Sequence, residues 1–189
     1  MDNSNGNGTA WTWLALLVSA VAVAGSLWLS LGMNLVACPF CYYQRTFAMC
    51  AFGVLAVGLL GGAPRGSVLC LLALPLAAGG LGVAGWHVYL EATGKLECPK
   101  GILEIGTAPQ QSLVAFAILT IPLLLGAMAG YRNPAGGVAP ARTCFAIIVA
   151  LVLGGASAAG CVLSAKAFKL PPEALAPEAP TICRPPPPK

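Results

Sequence analysis

The sequence predicts an all-α membrane protein, a four-helix transmembrane bundle with a probable fifth transmembrane helix added to it. Three observations lead there. The chain is 58% hydrophobic and only 8% charged, whereas soluble domains carry roughly 25% charged residues. Its apolar residues gather in five runs, each near the roughly 20 residues that a bilayer core requires. Trp11, Trp13, Tyr42, Tyr43, Trp86, Tyr89 and Tyr131 fall near the ends of those runs, where aromatic rings sit at a membrane interface. The expected organisation is one bundle over residues 1–165, followed by a Pro-rich tail over 166–189.

The first run, about 11–36, follows the polar segment "MDNSNGNGTA", which carries no Lys or Arg. A secretory signal opens on a basic segment and has a shorter apolar core, so an uncleaved first helix is expected. The second run, about 42–60, has Arg45 in its first turns. The third, about 67–90, and the fifth, about 143–165, are rich in Gly and Ala, which lets helix backbones approach closely in lipid. The fourth covers about 112–131, and Gln110 and Gln111 open it. Between them lie "GGAPRG", "EATGKLECPKGILEIGTAPQQ" and "RNPAGGVAPAR".

Five spans place Cys38–Cys41, the 91–111 loop and the C-terminal tail on one membrane face. That face carries Arg45, Lys95, Lys100, Lys166, Lys169, Arg184 and Lys189, against Arg65, Arg132 and Arg142 on the other. The positive-inside rule therefore votes for a cytoplasmic cysteine face. The net charge of +4 forms no basic stripe of the kind that nucleic-acid binding needs. No phosphate-binding glycine motif and no zinc-type Cys/His array is recognisable, so neither nucleic acid nor a metal is expected.

The eight cysteines divide into two groups of four. Cys50, Cys70, Cys144 and Cys161 sit inside apolar runs, where a free cysteine behaves as a small buried hydrophobe. Cys38, Cys41, Cys98 and Cys183 all fall at or beyond one membrane face. Cys38 and Cys41 form a C-x-x-C unit, a spacing shared by redox dithiols and metal sites, and Pro39 inside it suits a helix start. Arg45 stands four residues past Cys41, on the same helical face. A nearby guanidinium and a helix N-terminus both favour a thiolate. The bland alternative is a static disulfide with Arg45 reaching to the headgroups. Cys98 lies mid-loop and Cys183 on the proline-rich tail. An extended chain advancing about 3 Å per residue can bring them together, either as an exchanging pair or as an ordinary stabilising disulfide. His87, the single histidine, lacks companions for a zinc site and is a candidate polar contact for a lipid-soluble ring.

"CPFCYYQR", read as C-x-x-C-x-x-x-R at the start of a second membrane helix, resembles the disulfide bond formation protein B (DsbB) family. The likeness runs over about residues 11–131. Members are thiol oxidases of the bacterial inner membrane that reoxidise a soluble thioredoxin-like disulfide donor of the DsbA type and pass the electrons to a quinone. The resemblance implies that Cys38 and Cys41 are the quinone-facing pair, that Arg45 and His87 bind a ubiquinone or menaquinone, and that Cys98 and Cys183 form the outer pair. It also implies a periplasmic or extracytoplasmic cysteine face, against the charge count. The better-known members carry both outer cysteines between helices three and four, whereas here Cys183 arrives from beyond a fifth helix. A vitamin K epoxide reductase-like enzyme, another membrane thiol reductase, or a non-enzymatic protein with structural disulfides remain alternatives.

Overall fold

The computed structural model describes residues 4–61, 65–132, 140–165 and 182–186. Five helices follow one another: α1 (Ser4–Leu31), α2 (Pro39–Leu60), α3 (Gly66–Ala92), α4 (Ala108–Arg132) and α5 (Pro140–Ala165), with a 3-10 turn at Ile102–Glu104 before α4. All five contain a stretch long and apolar enough to cross a bilayer, so the protein is an all-α, multi-pass membrane protein. Most of the tail, residues 166–181 and 187–189, lies outside the described residues.

The helix ends differ from the sequence expectation for identifiable reasons. α1 stops at Leu31, short of 36, where the Gly32 and Met33 amides bond back to the Trp28 carbonyl and Asn34 takes φ 53°. Asn is one of the few side chains that tolerate this left-handed region. α2 starts at Pro39, three residues earlier than expected. Cys38 is its N-cap, with φ −71° and ψ 167°, and its sulphur accepts from the Cys41 amide at 3.4 Å. Pro at the first helical position has no N–H to leave unsatisfied. The C-x-x-C unit is thus the first turn of a helix, not a loop before one.

α3 is the most buried helix and packs against α2, α4 and α5, while α1 lies on α2 and α4. The core runs along α3 through Cys70, Ala73, Leu74, Ala77 and Ala84, meeting Leu55, Phe116, Leu119 and Leu123 from its neighbours. Small residues make this approach possible. A Cβ on Gly80 would run into the Phe116 ring, and one on Gly154 of α5 would stand 2.8 Å from the Pro75 carbonyl oxygen of α3. With no water to drive association, such close fits hold helices together in lipid.

The alternation of the helices brings the start of α2, the end of α3, the start of α4 and the tail to one end. The 91–111 loop there is held in shape by Gln111. Its Oε1 accepts from the Ile102 amide at 2.9 Å, and its Nε2 donates to the carbonyls of Ile102 (2.9 Å) and Ile105 (2.8 Å). The tail is pinned beside the loop by a two-bond antiparallel bridge, Glu97 N–H to Arg184 O (2.7 Å) and Arg184 N–H to Glu97 O (3.0 Å).

Candidate functional site: two cysteine pairs above an apolar cavity

At that end Cys98 and Cys183 are joined in a disulfide. The Glu97–Arg184 bridge holds the residues on either side of them, so short-range backbone pairing and the covalent bond reinforce each other. Cys38 and Cys41 are free thiols with their sulphurs 2.9 Å apart. The fixed first turn of α2 sets that spacing. The two pairs are not separate: the Sγ atoms of Cys38, Cys41 and Cys183 all lie within 4.8 Å of one another. Cys38, Ile182 and Cys183 are buried together, with Phe40, Cys41 and Cys98 packed around them. The hydrogen bond shared with Cys41, and then burial, push the Cys38 thiol well above the ordinary thiol range, so Cys38 holds its proton in the reduced pair.

His87 is fully buried and stands behind the sulphurs. Its Nε2 is 3.4 Å from Cys98 Sγ and 3.9 Å from Cys38 Sγ, its Nδ1 is 3.4 Å from Gln44 Nε2, and its ring packs on Phe40 at 5.1 Å between centroids. A Gln44 amide that donates to Nδ1 pairs with the Nε2–H tautomer, whose N–H then faces the Cys98 and Cys38 sulphurs. His87 is not part of the cavity wall described next. The structure therefore joins it to the cysteines, where the sequence suggested a ring contact.

A cavity of about 730 Å³ lies on the other side of Cys41. Its wall is mostly apolar, drawn from α1, α2, α4 and the 91–111 loop, and its polar lining includes Cys41, Gln44, Arg45 and Cys183 together with serines and glutamines of α1 and α4. Val21, Val114 and Ile118 line it and keep half or more of their surface accessible, so protein does not seal the cavity along α1 and α4, and in a bilayer that side meets lipid. The Arg45 guanidinium is anchored to α1. Nε donates to Ser26 Oγ (3.0 Å), and Nη2 donates to the Ser26 carbonyl (2.9 Å) and to Ser30 Oγ (2.6 Å). Among the described residues Nη1 makes no hydrogen bond. A cation in this setting is costly unless it is partnered, and the serines supply the partners without neutralising it.

Sequence reasoning missed Ser26, Ser30, Gln44 and Gln111. The serines were legible as an i, i+4 pair on one face of an otherwise apolar span. Nothing in the sequence said that this face would meet Arg45. The four other cysteines divide differently from the expectation of burial: Cys70 is buried, 3.4 Å from Thr12 Oγ1, whereas Cys50 and Cys144 lie on exposed helix faces and Cys161 is half-buried. An exposed face of a membrane helix meets lipid, so a thiol remains an apolar filler there.

Fold and site together define a polytopic membrane protein with two cysteine pairs close together beside a mostly apolar cavity. The chain belongs to the family described as Disulfide bond formation protein DsbB, whose profile matches residues 8–115. It is similar to "Disulfide bond formation protein B" of Herminiimonas arsenicoxydans, 34% identical over 108 residues that cover 54% of this chain and 66% of that protein. It is also similar to a "Probable disulfide formation protein" of Chlamydia trachomatis serovar D, 29% identical over 122 residues, 59% of this chain and 88% of that one. The chain thus spans just under two thirds of the first relative's length. No solved structure matches significantly. The matched region ends before α5 and Cys183, so the outer pair's second cysteine lies beyond the family profile.

Proposed function

We propose that the protein is a quinone-dependent thiol:disulfide oxidoreductase that generates disulfides, reoxidising a thioredoxin-like dithiol carrier and passing the electrons through its two cysteine pairs to a membrane quinone. The observation that carries this reading is the position of Cys183. It is bonded to Cys98 yet lies within 4.8 Å of both Cys38 and Cys41. A stabilising disulfide has no need of a second dithiol at exchange distance.

The cavity fits the acceptor. Its volume suits a small ring, its apolar wall and lipid opening suit an isoprenoid tail, and Arg45 and Gln44 offer N–H donors for ring oxygens. A quinone bound there supplies a two-electron, two-proton acceptor beside Cys41. The chain's own residues do the rest. Of the outer pair, Cys98 is the more accessible and Cys183 the buried member. A carrier thiolate attacks Cys98 Sγ, the Cys98–Cys183 bond breaks, and Cys183 leaves as a thiolate. The carrier's second thiolate then displaces Cys98, which departs as a thiolate facing the His87 Nε2–H. With the inner pair oxidised, Cys183 attacks Cys38 and Cys41 leaves as a thiolate at the cavity edge. Cys98 finally displaces Cys38 from Cys183, restoring the outer disulfide. Exchange requires an attacking thiolate and a good leaving thiol, and Arg45, on the same cavity edge, assists Cys41 as a leaving group.

We place the cysteine end on the extracytoplasmic side of a bacterial inner membrane. Two of the cations that argued otherwise are internal: Arg45 is tied to α1 and Arg184 is buried, so neither acts as an interfacial charge. The test is quinone reduction driven by a reduced carrier, with Cys41→Ser expected to abolish it. A carrier whose second cysteine is Ser should give a mixed disulfide mapped by mass spectrometry to Cys98. Full activity of Cys41→Ser ends the proposal, and a mixed disulfide on Cys183 reverses the order of attack. Membrane-impermeant thiol labelling of Cys98 from the cytoplasmic side would overturn the placement.

A further inference from the structure

We infer that, once both cysteine pairs are reduced, the sulphur cluster is a binding site for one thiophilic divalent cation of the zinc type, with Cys38, Cys41, Cys183 and His87 as its ligands. The inference rests on the reading of these cysteines as redox pairs, because only reduction of the Cys98–Cys183 bond frees the Cys183 thiol.

The donor set is compact before any ion arrives. The Sγ atoms of Cys38, Cys41 and Cys183 lie mutually within 4.8 Å, as do the donor atoms of His87, Cys98 and Cys183. His87 Nε2 is 3.9 Å from Cys38 Sγ. A tetrahedral zinc with bonds of about 2.3 Å to sulphur holds its sulphurs about 3.8 Å apart, so shifts of about an ångström bring the three sulphurs into place, while His87 and Cys41, which fall in separate groups, must close further on the ion. Two ligands sit on a helix terminus and one on α3, which keeps most of the geometry fixed. Cys183 is on the tail, next to Arg184, which bridges to Glu97, and is the one ligand that comes from neither helix.

The surroundings support both the ion and its charge. Gln44 Nε2 faces His87 Nδ1 at 3.4 Å. A ligating Nε2 needs its lone pair and therefore the Nδ1–H tautomer, and a turn of the Gln44 amide presents its oxygen to accept that proton. Metal-bound histidines characteristically have such a partner. Three thiolates and a neutral imidazole around a divalent cation leave one negative charge, beside the Arg45 guanidinium on the same cavity edge. Cys98, at the loop end of the cluster, is only half-buried, so the ion reaches the sulphurs from the loop side rather than through the lipid-facing cavity. Thiolate-rich sites select zinc-like and other soft ions over magnesium or calcium. Binding releases only the protons that the ligand thiols still carry and transfers no electrons. The consequence is a redox gate: the ion is refused by the oxidised protein and held by protein that is fully reduced for want of quinone.

The test uses the full chain in detergent or nanodiscs, depleted of quinone, reduced without oxygen and titrated with Co²⁺. One equivalent should bind, with the visible bands of four-coordinate thiolate-ligated cobalt and release of thiol protons, and Zn²⁺ should bleach the bands. The oxidised protein should show none. C183A should bind at least about tenfold more weakly, the loss of one ligand. A variant with Cys50, Cys70, Cys144 and Cys161 all changed to Ala should bind like the parent, which controls for stray thiols and for folding. No bands in the reduced parent, equal binding in the oxidised protein, or undiminished binding by C183A overturns the site. Quinone reduction by the metal-free protein is measured on the same preparation, so failure of the oxidase reading and failure of the metal site appear in different signals.

Discussion

Four cysteines meet at one end of this bundle, and four others stand singly along its helices. The residue type is the same and the membrane is the same, but the neighbours differ. Cys38, Cys41, Cys98 and Cys183 have sulphur, imidazole and guanidinium groups around them and a cavity beside them. Cys70 has a threonine hydroxyl, and Cys50 and Cys144 face outward on lipid-exposed helix surfaces. The contrast teaches that thiol chemistry in a membrane is made at helix ends. There a backbone N-terminus, a loop and a tail can bring polar groups together, whereas mid-span each such group would need its own partner.

The comparison is broken most decisively at Cys183. Cys183→Ser is expected to cut carrier-driven quinone reduction by about a thousandfold or more, since groups acting as one unit fail together, while the Cys50/Cys70/Cys144/Cys161 quadruple Ala variant keeps turnover. Next in size is Arg45→Met, which removes the cation from the cavity edge. Charge-assisted hydrogen bonds are worth about 1.5–3 kcal/mol, so KM for quinone should rise roughly 10- to 100-fold. The double variant Ser26→Ala/Ser30→Ala keeps the cation and its bond to the Ser26 carbonyl but removes both hydroxyl anchors on α1. We expect a KM rise of about 3- to 10-fold with kcat less affected, and equal kinetics to the parent would show that Arg45 needs no such anchoring.

A pH experiment separates the two thiols of the inner pair. The hydrogen bond with Cys41, and then burial, raise the Cys38 thiol. Ionisation, and with it alkylation, is therefore displaced to higher pH. Between about pH 7 and 9, where ordinary thiols ionise, iodoacetamide should label Cys38 slowly and with little pH dependence. Cys41→Ala removes the first cause and should bring the labelling rise to lower pH. Mass spectrometry of the reduced protein reads both. The smallest effect belongs to the scattered cysteines: their quadruple Ala variant should keep activity within about twofold, with any loss appearing in stability, chiefly from Cys70, whose truncation costs about 1 kcal/mol.

Much of this was legible without coordinates because lipid imposes simple rules. A bilayer demands runs of about 20 apolar residues, and five are present. Helix parity then sends Cys38, Cys41, Cys98 and Cys183 to one end, and C-x-x-C followed by Arg45 at i+4 carries the family likeness. Helix ends were less legible: Cys38 as N-cap and Asn34 in a left-handed turn depend on local hydrogen bonds that hydropathy does not register. His87 is the clearest case of a residue whose position in the chain was informative while its neighbours were not. The sequence placed it near the end of α3, and only packing turned it toward Cys98 and Gln44.

The amino-acid sequence by itself determined the solvent, the number of spans, the shared end of the four cysteines and the cation four residues past Cys41. These follow from composition and from period, which are local along the chain. The tertiary structure decided that Cys183, rather than Cys98, is the sulphur lying within reach of both Cys38 and Cys41. It also decided that Ser26 and Ser30 hold Arg45 and that a cavity opens between α1 and α4. Each of these is a contact between different elements of the chain, which no pattern read locally along the sequence records.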